Sequence, residues 1–288
     1  MEVDKITKEY AKKITNRIQT YKELIIESFV EFYGENYKKI IIDRFNDISF
    51  LYYINDVTIF YIVDSLKQGH EEKLKNIIFI MPYIVYLIEN NLYRQELTPD
   101  NFYKLGMNKI IGFSDKKLLL DEKLVDYSIA IALRENNESP YECNLPTDKS
   151  FKRVIALPIF CVDDKDLFHE INHAISSEIV IKNDKPIIKC GFDYGNEEKE
   201  YYNEILNDMI ALEVYNIFKK KCTENILEDN IMKDVFHVKY TDYHYLISKF
   251  YEKNKNSIKL SYIDSNTPQL DKQDFEYLSN LFKSHRTK

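Results

Sequence analysis

The chain has 288 residues, of which 44% are hydrophobic and 30% charged, and its formal net charge is -7. This composition is typical of a globular protein with one large or two small domains, and it excludes a largely disordered chain. The acidic balance gives no electrostatic reason to expect nucleic-acid binding or attachment to an anionic membrane, because both select basic surfaces.

The N-terminus begins with charged residues and has no apolar core followed by a small-residue cleavage site. It therefore does not match a secretory signal, and we expect a cytoplasmic protein. The most apolar run, residues 77–88, is shorter than the roughly 20 residues of a membrane span and contains Pro82. We expect this run to be a buried core helix or strand, and we expect no membrane span.

Residues 1–95 are predicted to form a mainly helical region, because their apolar residues recur at helical spacing. The residues that recur at helical spacing include Ile18, Tyr21, Leu24, Ile25 and Phe29. A second region, 96–288, begins with short β-prone runs that predict a small mixed sheet. These runs include IIGFS, YSIAIALRE and FKRVIALPIF.

The sheet is followed by the two helices that carry the interesting chemistry. Asp163, Asp164 and Asp166 are acids of the kind favoured at a helix N-terminus, and they open the helix DKDLFHEINHAISSE. A hairpin, EIVIKNDKPIIKCGF, then leads to a second helix, EEKEYYNEILNDMIALEVYNIFKK. Together these elements predict an α+β fold.

The first helix contains HEINH, an instance of the HExxH pattern, at residues 169–173. Residues four apart lie on one helix face, so the imidazoles of His169 and His173 can bind the same tetrahedral zinc ion. Glu170 lies beside them and can accept a proton from a water molecule whose pKa zinc lowers. The alternative is a helix with two histidines that are satisfied without a metal.

A catalytic zinc site also needs a third protein ligand and partners that orient its histidines. Glu204 and Asp208 lie one turn apart on the second helix. Glu204 can bind the metal while Asp208 accepts a hydrogen bond from the other nitrogen of a zinc-bound histidine. The apolar residues around them argue against a merely solvated acidic face, because buried carboxylates need partners.

At these residues the sequence resembles the thermolysin-like, or gluzincin, zinc metallopeptidases, whose pattern is HExxH followed on a later helix by NExxxD. The two parts stand here as HEINH and NEILND, and the resemblance covers about residues 151–218. It implies that His169, His173 and Glu204 bind one Zn²⁺ ion, that Glu170 is the general base, and that Asp208 is an orienting acid.

The resemblance also implies a zincin-like domain, in which a small mixed sheet precedes the active-site helix and a helical lobe follows it. An edge strand, FKRVIALPIF or YSIAIALRE, would pair with an extended peptide or protein substrate. The chain departs from secreted members, because it shows no signal, no pro-segment and no clear Asn-Ala pair on the strand. We therefore expect a cytoplasmic metallopeptidase and not a secreted digestive protease.

Other kinds of zinc site are less consistent with the sequence. The class with a third histidine in HExxHxxGxxH is excluded, because residues 176–179 read Ser, Ser, Glu and Ile. The cysteines contain no CxxC pair, so we expect small buried thiols at Cys143, Cys161, Cys190 and Cys222.

Peptide hydrolysis also needs a donor that stabilises the developing oxyanion, commonly a Tyr or a His opposite the metal. The segment FHVKYTDYHYL offers several, and we select Tyr243 or His244 from His237, Tyr240, Tyr243, His244 and Tyr245. Two other functions remain open at this point. One is an inactive zincin-fold protein that binds a protein partner, and the other is a globular protein that matches the motif by accident.

Overall fold

The computed structural model describes residues 2–53, 113–114, 131–132, 153–158, 163–182, 185–192, 197–227, 243–264, 270 and 272–286. The helices are α1 (Glu2–Tyr33), α2 (Lys38–Asn46), α3 (Asp164–Ser176), α4 (Glu197–Lys221), α5 (His244–Ile263) and α6 (Lys272–Arg286), with a 3-10 turn at Glu35–Tyr37. The strands are β1 (Ile48–Tyr53), β2 (Phe113–Ser114), β3 (Ile131–Ala132), β4 (Arg153–Pro158), β5 (Ser177–Lys182) and β6 (Lys185–Cys190).

Strands β1 and β4 form the centre of a mixed sheet with the order β2-β1-β4-β3. They run parallel, with Ile48 opposite Arg153 and Tyr53 opposite Pro158, and β2 and β3 pair antiparallel on either side. The run FKRVIALPIF therefore lies inside the sheet as β4. Of the two runs considered for a substrate-binding edge, it is YSIAIALRE, through β3, that lies at the edge of the described sheet.

Strand β1 lies within the region that the sequence predicts as mainly helical. Its sequence, ISFLYY, is rich in the β-branched and aromatic residues that favour strands. Its parallel partner β4 lies about 100 residues later in the sequence. No local sequence pattern therefore predicts that the two strands pair. The strand propensity of β1 is visible in the sequence, but its pairing with β4 is not.

Helix α1 packs against α3 and α4 through a cluster of aromatic side chains. Phe168 of α3 stacks on Phe29 of α1, with ring centroids 5.9 Å apart, and contacts Tyr215 and Phe218 of α4 at 5.6 and 5.2 Å. Truncating such a buried ring costs about 3–5 kcal/mol, so this cluster fixes the three helices against one another. The predicted apolar face of α1 is confirmed at Ile18, Ile25 and Phe29, which are buried.

The first turn of α3 is capped as its acidic sequence predicts. Asp163 accepts the backbone N–H of Asp166 at 3.1 Å, and the Asp166 carboxylate accepts the N–H of Asp163 at 2.8 Å, which forms a capping box. Asp164 has a different role: its carboxylate accepts the N–H groups of Ile226 and Leu227 at 2.9 and 2.6 Å. The start of α3 therefore also fixes the chain that follows α4.

The last turn of α3 is satisfied by two arginines from other elements. Arg44 of α2 donates to the Ile175 carbonyl at 2.7 Å, and Arg153 of β4 donates to the carbonyls of Ala174 and Ser177 at 2.9 and 2.6 Å. Cations are favourable at a helix C-terminus, because the free carbonyls there carry negative partial charge. Both ends of the helix that carries HEINH are thus fixed.

The predicted hairpin is confirmed, with β5 and β6 antiparallel from Ser177 opposite Cys190 to Lys182 opposite Lys185. It returns the chain to the end of α3 and then turns at Gly191, which has a φ of 59°. A Cβ at this position would lie 2.3 Å from the Asn203 amide oxygen, so only glycine fits.

The described residues are mainly helical with two small sheets, which is an α+β arrangement. No helix within the described ranges is long and apolar enough to span a bilayer. The predicted boundary between residues 95 and 96 lies outside the described residues, as do the run 77–88, Cys143 and Cys161. Strands β1 and β4, from either side of that boundary, share one sheet.

Candidate metal centre

Three side chains from α3 and α4 converge on one point. The Nε2 atoms of His169 and His173 lie 3.0 Å apart, and each lies 3.2 Å from Oε2 of Glu204. Within the described part of the chain, His169, His173 and Glu204 form a group whose ligand atoms lie close enough together to bind one metal ion. The structure thus brings together the three residues that the sequence analysis selects.

The convergence follows from how the two helices pack. His169 and His173 lie one turn apart on α3, and their imidazoles face α4, where Glu204 lies. Neighbouring residues on each helix are apolar and fully buried: Phe168, Ile171 and Ala174 on α3, and Ile205 and Leu206 on α4. Burial of these apolar side chains stabilises the packing of α3 against α4, and the polar side chains lie at the interface between the two helices.

The three atoms fit a tetrahedral zinc ion. Bonds of about 2.0–2.1 Å to zinc separate neighbouring ligand atoms by about 3.3 Å, close to the 3.0–3.2 Å found here. Two imidazole nitrogens and one carboxylate oxygen are also the ligand set of many catalytic zinc sites, in which the fourth position takes water or substrate. The donor set and its spacing therefore agree with zinc.

The outer nitrogen of His169 faces Asp208. Nδ1 of His169 lies 3.3 Å from Oδ1 of Asp208, and a carboxylate can only accept a hydrogen bond. Nδ1 therefore carries a hydrogen, and a metal ion at the common point would bind Nε2 once that nitrogen has lost its proton. Asp208 lies where an acid that orients a zinc-bound histidine would lie.

The outer nitrogen of His173 faces a thiol. Nδ1 of His173 lies 3.2 Å from Sγ of Cys190, the last residue of β6. The sequence analysis interprets Cys190 only as a buried thiol, and the structure finds it half-buried, like Cys222. No spacing rule relates the two residues, because their contact depends on the hairpin returning to α3.

Asn203, the first residue of the NExxxD pattern, connects α4 to the turn after the hairpin. Its buried amide oxygen accepts the backbone N–H of Phe192 at 3.0 Å and the hydroxyl of Tyr262 at 2.8 Å. The Tyr262 hydroxyl also lies 2.7 Å from the Asn203 carbonyl. Asn203 thus fixes the turn beside Cys190, and Phe192 is a core aromatic that is only 1% exposed.

The site is strongly polarised by its own charges. Burial raises the pKa of Glu204, but the two imidazoles outweigh burial and hold that pKa well below its usual range. Burial lowers the pKa of His169, but Asp208 and Glu204 outweigh it and raise the pKa to about 9. The pKa of His173 is likewise raised, against burial, chiefly by the charge of Glu204. The carboxylates are therefore fully ionised near neutral pH, and in the metal-free site the protonated imidazoles balance their charge.

The other predicted residues lie on α3 and at the start of α5. Glu170 is half-buried on α3, directly after His169 and three residues before His173. Tyr243 precedes α5, and His244 is the first residue of that helix. Nε2 of His244 lies 2.7 Å from Oδ2 of Asp208. The roles of these residues in a reaction remain predictions, and His237 and Tyr240 lie outside the described residues.

Comparisons of the chain with protein-family models, with curated proteins and with solved structures found no match.

Proposed function

We propose that this chain is a zinc-dependent metallopeptidase that hydrolyses peptide bonds. The observation that carries the proposal is the convergence of His169, His173 and Glu204 at mutual distances of 3.0–3.2 Å. Two features support it: each imidazole has a partner at Nδ1, and Glu170 occupies the general-base position of the HExxH pattern.

The proposal includes a zincin-like arrangement of the chain. It is supported by a mixed sheet that leads through β4 into α3, and by the long helix α4 that carries the third ligand. Strand β3 offers the edge of the described sheet at which an extended peptide would add as a further strand. The substrate is therefore a peptide or an extended segment of a protein.

In the proposed reaction, His169, His173 and Glu204 would hold a zinc ion, which would lower the pKa of a water molecule and polarise the scissile carbonyl. Glu170 accepts a proton from the attacking water and then donates it to the leaving nitrogen. Asp208 and Cys190 orient the two imidazoles, and Tyr243 or His244 donates a hydrogen bond to the developing oxyanion. Each role belongs to a different side chain, so each can be removed separately.

The test compares metal content and proteome-wide cleavage between the unaltered chain and Glu170→Gln. The variant is expected to keep its zinc while cleavage falls by several orders of magnitude, and His173→Ala is expected to lose the metal. Glu213→Gln is the matched control, because it removes the same charge on α4 about 13 Å along the helix from Glu204. This control should cleave normally.

Two results would contradict the proposal. Undiminished cleavage by Glu170→Gln would remove the general-base role. Zinc binding by the unaltered chain without any cleavage would favour the alternative function, an inactive zincin-fold protein that binds a protein partner.

A further inference from the structure

A chain of three hydrogen bonds crosses the core from α1 to the candidate metal centre. The Tyr33 hydroxyl donates to Oδ1 of Asn172 at 2.6 Å, and Nδ2 of Asn172 donates to Oδ1 of Asn207 at 2.7 Å. Nδ2 of Asn207 then donates to the backbone carbonyl of His169 at 3.0 Å. The bonds join α1 to α3, α3 to α4, and α4 back to α3.

The direction of every bond in this chain is fixed by its last member. The His169 carbonyl can only accept, so Asn207 presents its amide nitrogen there and its oxygen to Asn172. Asn172 must then present its nitrogen to Asn207 and its oxygen to Tyr33. The Tyr33 hydroxyl is therefore the donor that completes the chain, and burial keeps it protonated by raising its pKa.

The residues of this hydrogen-bond network are buried. Asn172 and Asn207 are 0% exposed, and Tyr33 is 5% exposed. A buried amide that loses its partner costs about 1–3 kcal/mol, whereas a fully satisfied network allows one arrangement of the helices. The network thus selects a single register of α3 against α4.

That register sets the distances between the metal ligands. Asn172 lies one turn after His169 on α3, and Asn207 lies one turn after Glu204 on α4. The Asn172–Asn207 bond and the bond to the His169 carbonyl therefore join the ligand-bearing turns of the two helices. Sliding one helix by a single residue would move Glu204 by about 1.5 Å relative to the imidazoles.

We propose that Tyr33 is a positioning residue of the metal centre, which acts through Asn172 and Asn207 on the backbone of His169. The inference rests on the proposed metal centre. It assigns helix α1 a part in metal binding, although α1 supplies no ligand within the described residues.

The test is the zinc dissociation constant, measured by competition with a chromophoric chelator under conditions in which each variant is folded. If Tyr33 has a merely structural role, its replacement lowers the free energy of unfolding and leaves the zinc dissociation constant unchanged. Tyr33→Phe is expected to weaken zinc binding about tenfold. Ser28→Ala is the matched control, because it removes another buried hydroxyl of α1, which among the described residues bonds to the Leu24 carbonyl of its own helix. It should bind zinc within about twofold of the unaltered chain, as a site uncoupled from the metal would.

A double-mutant cycle of Tyr33→Phe with Asn207→Ala tests whether the three hydrogen bonds act together on zinc binding. The double variant is expected to bind zinc as weakly as Asn207→Ala alone, because the bond to the His169 carbonyl is already lost. Additive losses would overturn the inference, as would an unchanged constant in Tyr33→Phe. If Tyr33→Phe does not fold, Asn172→Ser breaks the same chain, and unchanged zinc binding there has the same meaning. Absence of zinc binding by the unaltered chain contradicts the metal centre itself, and the inference with it.

Discussion

Oδ1 of Asp208 lies 3.3 Å from Nδ1 of His169, and this contact fixes which nitrogen of that imidazole faces the metal centre. The other oxygen of the carboxylate lies 2.7 Å from Nε2 of His244 at the start of α5. One side chain thus orients a candidate zinc ligand and connects it to a residue that the sequence analysis selects as an oxyanion donor.

Removing the carboxylate of Asp208 is expected to weaken zinc binding about 10–100-fold in Asp208→Ala, because the Nδ1–H of His169 loses its acceptor. Asp208→Asn retains an acceptor oxygen without the charge, so its loss should be smaller. Competition with a chelator measures both. Equal zinc affinities in Asp208→Ala and the Glu213→Gln control would show that Asp208 has no orienting role.

Cys190 is expected to support His173 in the same way. Cys190→Val fills a similar volume but leaves the Nδ1–H of a histidine that is 1% exposed without its partner, so zinc affinity should fall about tenfold or more. Cys190→Ser keeps a polar acceptor and should lose less. Cys222→Val replaces the other half-buried thiol of the described residues and should bind zinc normally. Normal zinc binding by Cys190→Val would contradict the role.

The pH dependence of stability should differ between the metal-free and zinc-loaded forms. The raised pKa of His169, about 9 against an ordinary 6.5, stabilises the metal-free fold below pH 6.5, and this contribution is lost as the pH rises to 9. The lowered pKa values of Glu204 and Asp208 stabilise the fold above about pH 4.5, and this contribution is lost in acid. Metal-free protein should therefore be most stable between about pH 4.5 and 6.5.

Zinc binding requires neutral imidazoles, so zinc and protons compete for the same nitrogens. The increase in Tm on adding zinc should consequently grow between pH 6 and pH 8.5. Thermal unfolding with and without zinc across this range checks the prediction. An increase in Tm that shrinks as the pH rises would contradict it.

The turn at Gly191 is expected to tolerate no side chain. A Cβ would lie 2.3 Å from Oδ1 of Asn203 and 2.7 Å from the ring of Tyr262, and the φ of 59° is itself unfavourable for alanine. Urea unfolding should show Gly191→Ala to be less stable than the unaltered chain by about 1–3 kcal/mol or more, the usual cost of overpacking. Unchanged stability would show that the turn rearranges freely.

The sequence predicted the parts of this molecule that depend on local pattern. Helix α3, its acidic first turn, the hairpin and α4 follow from periodicity and capping residues, which act over a few positions. The two histidines and Glu204 could be predicted as metal ligands because each lies in a short motif on such a helix. Their convergence follows once the apolar faces of α3 and α4 pack together.

Apart from the contact of Asp208 with His169, the sequence did not predict the long-range contacts that position those ligands. Cys190 meets His173 across a hairpin, Tyr33 meets Asn172 across 139 positions, and β1 pairs with a strand about 100 residues later. Asparagine, tyrosine and cysteine occur throughout the chain in ordinary structural roles. Only the packed fold shows which of them reach the ligands.

The most direct test of the central claim is anomalous diffraction at the zinc absorption edge, measured from crystals of the unaltered chain grown with zinc. The account predicts one strong peak, bounded by Nε2 of His169, Nε2 of His173 and Oε2 of Glu204. A structure without a peak at this point, or with Glu204 turned away from both imidazoles, would contradict it.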